Sequence, residues 1–233
     1  MARGIVVTSL VDALVEDLRS QVVSGALAPG TPLTELDVAT RYEVARASAR
    51  AAIERLTAEK VLVRNTHKTA RVVHLGPDDV RDIYRTRTYL ESEVLRRLAA
   101  LRRVPEAARE ANAEIAVLWA QGSYAIVEPD MRFHTSLIDE LGSERTSAMY
   151  HSLAFEVKLC MAQLQGRQQL SPEIIVAEHA RLLELIAAGD ATGAAAMLDE
   201  HLARARELLA ASLGGEAGPE AFVPSSALRG PVR

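Results

Sequence analysis

Between Thr8 and Ser24 apolar residues recur at every fourth position, Leu10, Leu14, Leu18 and Val22, which is the spacing of one helix face. Ser9 with Asp12 three residues on offers a capping box, and Gly25 an end. Pro29, Gly30 and Pro32 enforce a turn. A short second helix fits Glu35 to Arg41, with Thr34 as N-cap and Asp37 three residues on. A third fits Ala45 to Glu59, with Ala49, Ala52, Ile53 and Leu56 as its buried stripe. The period then changes: Val61 to Arg64 and Ala70 to Val73 are short strand-like runs joined by residues 65–69, a hairpin pattern. Three helices and a hairpin in about seventy residues describe a winged helix-turn-helix.

From Gly76 and Pro77 onward the periodicity is helical without strands. Six segments are expected: Asp78 to Arg102, Pro105 to Ala120, Ser123 to Leu141, Glu144 to Arg167, Ser171 to Ala188 and Ala191 to Leu213. The first is long enough to be two helices. The fold class expected is therefore mostly α: a winged helix-turn-helix over residues 1–75, then an all-α bundle of six or seven helices over residues 76–213. Residues 214–233, rich in Gly, Pro and Ser, are expected to form a flexible tail, disordered or loosely docked.

Composition supports a helical, globular chain of 233 residues, 48% apolar, 25% charged and only 4% aromatic. Its single cysteine, Cys160, cannot close an intrachain disulfide, and the longest apolar run, Ile115 to Ala120, is too short for a bilayer. A cytoplasmic protein without membrane contact is expected. The net charge of −4 argues against a nucleic-acid partner until it is divided by segment. Residues 1–75 hold ten Lys/Arg against eight Asp/Glu, whereas the remainder holds 17 against 23. Arg41 to Arg71 alone holds eight basic and three acidic residues, so a basic module precedes an acidic body.

Arg46 and Arg50 lie four apart in the first two turns of the third helix, where side chains of a recognition helix meet base edges. An ion pair of Arg50 with Glu54 on a solvated face is the competing reading. The turn of the hairpin, Asn65-Thr66-His67-Lys68-Thr69, adds a cation and small polar groups where a wing would meet the duplex, which favours DNA. Leu27-Ala28-Pro29-Gly30-Thr31-Pro32-Leu33-Thr34-Glu35 and Val44-Ala45-Arg46-Ala47-Ser48-Ala49-Arg50-Ala51-Ala52-Ile53-Glu54-Arg55-Leu56 resemble the DNA-binding domain of the GntR family of bacterial transcription regulators. The resemblance covers residues 8–75 and implies DNA contacts by Arg46, Ser48 and Arg50, with His67 and Lys68 in the wing. The chain departs from the family pattern at four positions. Ala45 replaces the usual Ser N-cap, Glu43 a turn Gly, Lys60 the Gly that ends the recognition helix, and Leu36 an Arg of the second helix.

In the helical body His134, His179 and His201 each sit on an apolar stripe, where a lone histidine is usually a packed core residue. Three on separate helices, with Asp130 one turn before His134, form a chelating pattern: a carboxylate and an imidazole on one helix face, and two imidazoles from facing helices. Such donors suit Zn, Ni, Mn or Fe. The runs Asp130-Met131-Arg132-Phe133-His134, Glu178-His179 ahead of Ala187-Ala188-Gly189-Asp190, and His201 resemble the FCD effector domain of the FadR-like branch of the GntR family, over residues 77–213. The resemblance implies a divalent metal on Asp130, His134, His179 and His201 that helps recognise small organic acids. Arg87-x-x-Leu90-Glu91 is also similar to that domain's first helix. Arg87 shares a stripe with Ile83 and Val94 and needs a buried partner, either Glu91 four residues on or an anionic effector.

These readings add up to a homodimeric transcriptional regulator, read as a repressor. It would bind a palindromic double-stranded operator under control of a small carboxylate effector held beside the metal. The alternative is a metal-dependent enzyme using the three-His, one-Asp site, for which the neighbouring Glu178 is expected to face the wrong way to act as general base.

Overall fold

The computed structural model describes residues 9–65, 68–121, 125–162, 171–218 and 226–228, and the chain divides into two compact units, the first ending at Leu75 and the second beginning at Gly76.

In the first unit α1 (Leu10–Val23) opens with the capping box: Ser9 Oγ accepts from the Asp12 amide at 3.1 Å, and Asp12 in turn receives the Ser9 N–H. Helix α2 (Glu35–Arg41) is capped by Thr34 in the same way, and α3 (Arg46–Ala58) follows after a four-residue turn. Ala49, Ala52, Ile53 and Leu56 of α3 are buried, against Leu14 and Leu18 of α1 and Val38 of α2 in the same core. The strands β1 (Pro32–Leu33), β2 (Leu62–Val63) and β3 (Ala70–Val72) form an antiparallel sheet in the order β1-β3-β2. The hairpin expected from the sequence is β2 and β3. Pro32, read in the sequence only as part of a turn, and the adjacent Leu33 pair with Arg71 and Ala70 and close the sheet. Two residues show no periodicity, so no sequence pattern could announce that strand.

The departures from the family pattern have physical counterparts. Glu43 (φ 54°) and Lys60 (φ 60°) occupy the left-handed region that glycine enters freely, and each carries about 1–2 kcal/mol of backbone strain for its Cβ. Ala45 at the N-cap of α3 makes no side-chain cap, leaving the first amides of that helix without one.

The second unit comprises α4 (Pro77–Leu101), α5 (Glu106–Ala120), α6 (Val127–Asp139), α7 (Glu144–Ala162), α8 (Pro172–Ala188) and α9 (Ala191–Ser212). Helix α4 is one continuous helix of 25 residues rather than two, started by Pro77 at its first turn and by the Gly76 amide donating to Asp79. It packs along α9, with Val80, Tyr84, Leu95 and Leu98 buried on its inner face. Helix α5 lies against α6 and α8, and α6 against α7. Gly189 (φ 80°) ends α8, and Asp190 caps α9 through the Gly193 amide at 2.8 Å. This tight reversal sets His179 and His201, on antiparallel neighbours, about 15 and 18 Å along their helices from one turn, hence at nearly one level.

Of the tail, residues 214–218 and 226–228 are described and are docked. The Gly218 amide donates to Glu207 at 3.1 Å, and the Ser226 amide to Glu200 at 3.2 Å. The rest of the expected flexible tail, and the ends of the segments predicted to begin at Ser123 and to reach Arg167, lie outside the described residues. Among the described residues no helix is long and apolar enough to cross a membrane.

Candidate functional site

Helix α6 carries Asp130 and His134 one turn apart on its buried face, α8 contributes His179 and α9 His201. One ligating atom from each of the four lies within 4.8 Å of all the others, and all four residues are buried. The Nε2 atoms of His134 and His201 face each other at 3.3 Å, and Nε2 of His179 lies 3.6 Å from an Asp130 carboxylate oxygen. Among the described residues neither ring nitrogen of His179 has a hydrogen-bond partner. Its ring stacks flat on Phe133, with centroids 3.6 Å apart. Buried nitrogens left unpaired, and two imidazole nitrogens turned toward one another, are costly in an apolar interior unless a cation serves them. The set therefore fits a divalent metal.

Five further residues surround the cluster: Glu91, Arg87, Tyr150, Glu178 and Arg204. Glu91 of α4 accepts from His134 Nδ1 at 2.6 Å, from the Tyr150 hydroxyl at 2.5 Å and from Arg87 Nε at 2.8 Å. Burial opposes ionisation of Glu91, but His134, Arg87 and the hydrogen bonds outweigh it and hold the carboxyl far below its usual range. Arg87 is thus paired with Glu91, as the structural alternative expected. Its Cζ lies 4.9 Å from the centroid of the Tyr84 ring, but among the described residues its buried Nη2 has no hydrogen-bond partner. Glu178, expected to face elsewhere, is buried and turned to the back of His201, accepting from its Nδ1 at 2.7 Å and from Arg204 of α9. Spacing along α8 does not show what Glu178 meets, because the partners that capture it come from the neighbouring helix. Tyr150 and Arg204 were not anticipated. The i, i+3 spacing of His201 and Arg204 is the one available hint of the second.

Burial lowers the pKa of all three imidazoles. For His134 the adjacent Glu91 offsets part of that shift, and for His201 Asp130 does, whereas around His179 the other two histidines add to it and its pKa falls furthest. The unfolded chain thus takes up protons below about pH 6.5 that the metal-free fold refuses. Stability is then complete above that pH and is lost as the pH falls toward the lowered values, by up to about 1.4 kcal/mol per group and pH unit. The melting temperature of metal-free protein is expected to decline progressively from about pH 7 to pH 5. A flat profile over that range would contradict neutral, buried imidazoles.

On the first unit Arg46 and Arg50 are exposed on α3, Ser48 is half-buried beside them and Lys68 is exposed in the hairpin turn. His67 lies outside the described residues. Arg50 Nε donates to Glu54 at 2.8 Å, but both partners are more than half exposed, and such a pair contributes little and exchanges readily for another anion.

A winged helix-turn-helix unit followed by an all-helical unit is an architecture of transcriptional regulators. Residues 82–204 match the model of the FCD domain, and residues 10–72 that of the bacterial regulatory proteins of the gntR family. The chain belongs to the GntR family of transcriptional regulators and carries an FCD domain; these are regulators, not enzymes. It is 37% identical over 90 residues to the uncharacterized HTH-type transcriptional regulator BphR of Paraburkholderia xenovorans, 39% of this chain and 37% of that protein. It is 34% identical over 85 residues to the gluconate operon transcriptional repressor of Bacillus subtilis, 36% of this chain and 35% of that one. The matches thus span little more than a third of these curated relatives. A solved GntR structure from Rhodococcus sp. RHA1 shares the fold, with a TM-score of 0.73 at 18% identity over 85% of this chain and 96% of that one.

Proposed function

We propose that the protein is a homodimeric repressor that binds a palindromic operator through residues 1–75 and senses a small organic acid through a metal held in residues 76–213. The observation that carries the sensing half is the buried set Asp130, His134, His179 and His201 beside the unused Nη2 of Arg87. Those four residues would hold Zn, Ni, Mn or Fe. The metal, when bound, supplies a fixed positive centre for a carboxylate oxygen, and Arg87 supplies a directed N–H for the same anion. The local charge agrees: Asp130, Glu91 and Glu178 outnumber Arg87 and Arg204 by one, so a divalent ion leaves one positive charge for a single carboxylate to balance. The acid can bias operator binding only by as much as its affinity differs between the competent and incompetent states.

For DNA, exposed Arg46 and Arg50 offer bidentate donors at the start of α3, and the uncapped amides of that helix favour phosphate. Ser48 sits between them, and Lys68, with His67, would serve the wing. Exposed Tyr89 on α4 and Met149 on α7 are large apolar side chains of the kind that a second copy covers. The Bacillus relative's name as an operon repressor supports the sign of regulation. A bandshift titration with the chain's own upstream DNA tests the reading. Arg46→Ala and Arg50→Ala are each expected to weaken specific binding by about 1–3 kcal/mol, roughly 5- to 150-fold. Equal loss on unrelated DNA would instead make them phosphate contacts, and no loss would remove α3 from the interface.

A further inference from the structure

We infer that Glu91 and Glu178 are positioning residues for the metal site, each fixing one imidazole so that its Nε2 faces the shared centre, while His179 is left unbraced. The inference rests on the metal reading above and deepens it.

The two carboxylates do the same thing from opposite sides of the cluster. Glu91 lies behind the His134 ring, 2.6 Å from Nδ1, and is itself held by Arg87. Glu178 lies behind the His201 ring, 2.7 Å from Nδ1, and is held by Arg204. Both acids are buried in ion pairs with arginine, so each carboxylate only accepts, and the proton of each ring belongs on Nδ1. The unprotonated Nε2 atoms then turn to the same point, which is why they meet at 3.3 Å with no donor between them. A carboxylate behind an imidazole raises its basicity as a ligand as well as choosing its tautomer. Neither acid can itself reach the ion, because the ring it braces stands between. Among the described residues no carboxylate backs His179, whose Nδ1 has no hydrogen-bond partner there and whose orientation is set by the flat stack on Phe133. The site therefore has two preset imidazoles on α6 and α9 and one on α8 placed by packing alone.

Long-range 1H–15N spectra of the imidazoles in metal-free, full-length protein at about pH 8 read the tautomers directly. His134 and His201 are expected to carry the proton on Nδ1, with strongly downfield, slowly exchanging signals, and to keep it when zinc is added. A proton on Nε2 of either ring in the metal-free protein overturns the inference. The isosteric Glu91→Gln and Glu178→Gln variants, whose amide can instead donate to Nδ1, are expected to bind zinc about 10–100-fold more weakly in competition with a chromophoric chelator. Affinities within twofold of the native chain in both variants overturn it equally. If the native chain takes up no divalent ion, the metal reading under Proposed function falls, while the metal-free tautomers still decide the placement of these protons.

Discussion

Glu91→Ala is expected to destabilise the helical unit by about 3–5 kcal/mol, the cost of stranding a buried charge. The truncation leaves Arg87 fully buried without its Nε partner and its ion-paired carboxylate. It also removes the acceptor of the Tyr150 hydroxyl and of His134 Nδ1. Desolvation is what makes the effect large, since exposed pairs of this chain such as Arg97 with Glu93 have water to replace a lost partner. The matching double variant Arg87→Met/Glu91→Leu removes both charges and fills their space. It is expected to recover much of the loss, as apolar replacements of whole buried pairs do. Urea unfolding followed by the helical circular dichroism signal measures both. A Glu91→Ala loss near that of an exposed pair, below about 1 kcal/mol, would show that Arg87 is not charged in the core.

A divalent ion is expected to stabilise the same unit by about 2.7 kcal/mol at a hundredfold excess over its dissociation constant, and by about 4 kcal/mol at a thousandfold. Four buried ligating atoms lie within 4.8 Å of one another in the fold, a proximity the unfolded chain lacks, so binding falls almost wholly on the folded state. The measurement is the melting temperature of chelator-stripped protein with zinc, nickel, manganese or iron(II) restored one at a time. Asp130→Ala and His134→Ala are expected to abolish the increment. Each variant is compared with its own metal-free form, so that any packing loss cancels. An increment retained in both would place the ion elsewhere. Small carboxylic acids should raise the melting temperature further only when metal is present, and Arg87→Met should remove that second increment.

Much of this was legible before any coordinates. The four-residue apolar spacing from Leu10 to Val22, the caps at Ser9 and Thr34 and the stripe on α3 are local, repeated signals, and each reappears in the fold. The Asp130 and His134 pair was equally readable because it lies on one helix, where spacing alone brings side chains together. Failure came where geometry is not local. The two-residue β1 owes its existence to β3, forty residues away. Residues Glu178, Arg204 and Tyr150 acquire their roles from helices that touch only after folding.

The chain thus carries, in its periodicity, the two units, their helices and the residue types of the exposed α3 surface and of the buried histidine and carboxylate cluster. Periodicity is a property of a single element, and propensity and capping act over a few residues. Packing decided the rest. It closed the sheet, turned Glu91 and Glu178 to the backs of His134 and His201, and left Arg87 Nη2 and both nitrogens of His179 without hydrogen-bond partners among the described residues. Those outcomes depend on which helices lie side by side and at what level. That placement follows from burying several apolar faces at once and cannot be read from any one of them.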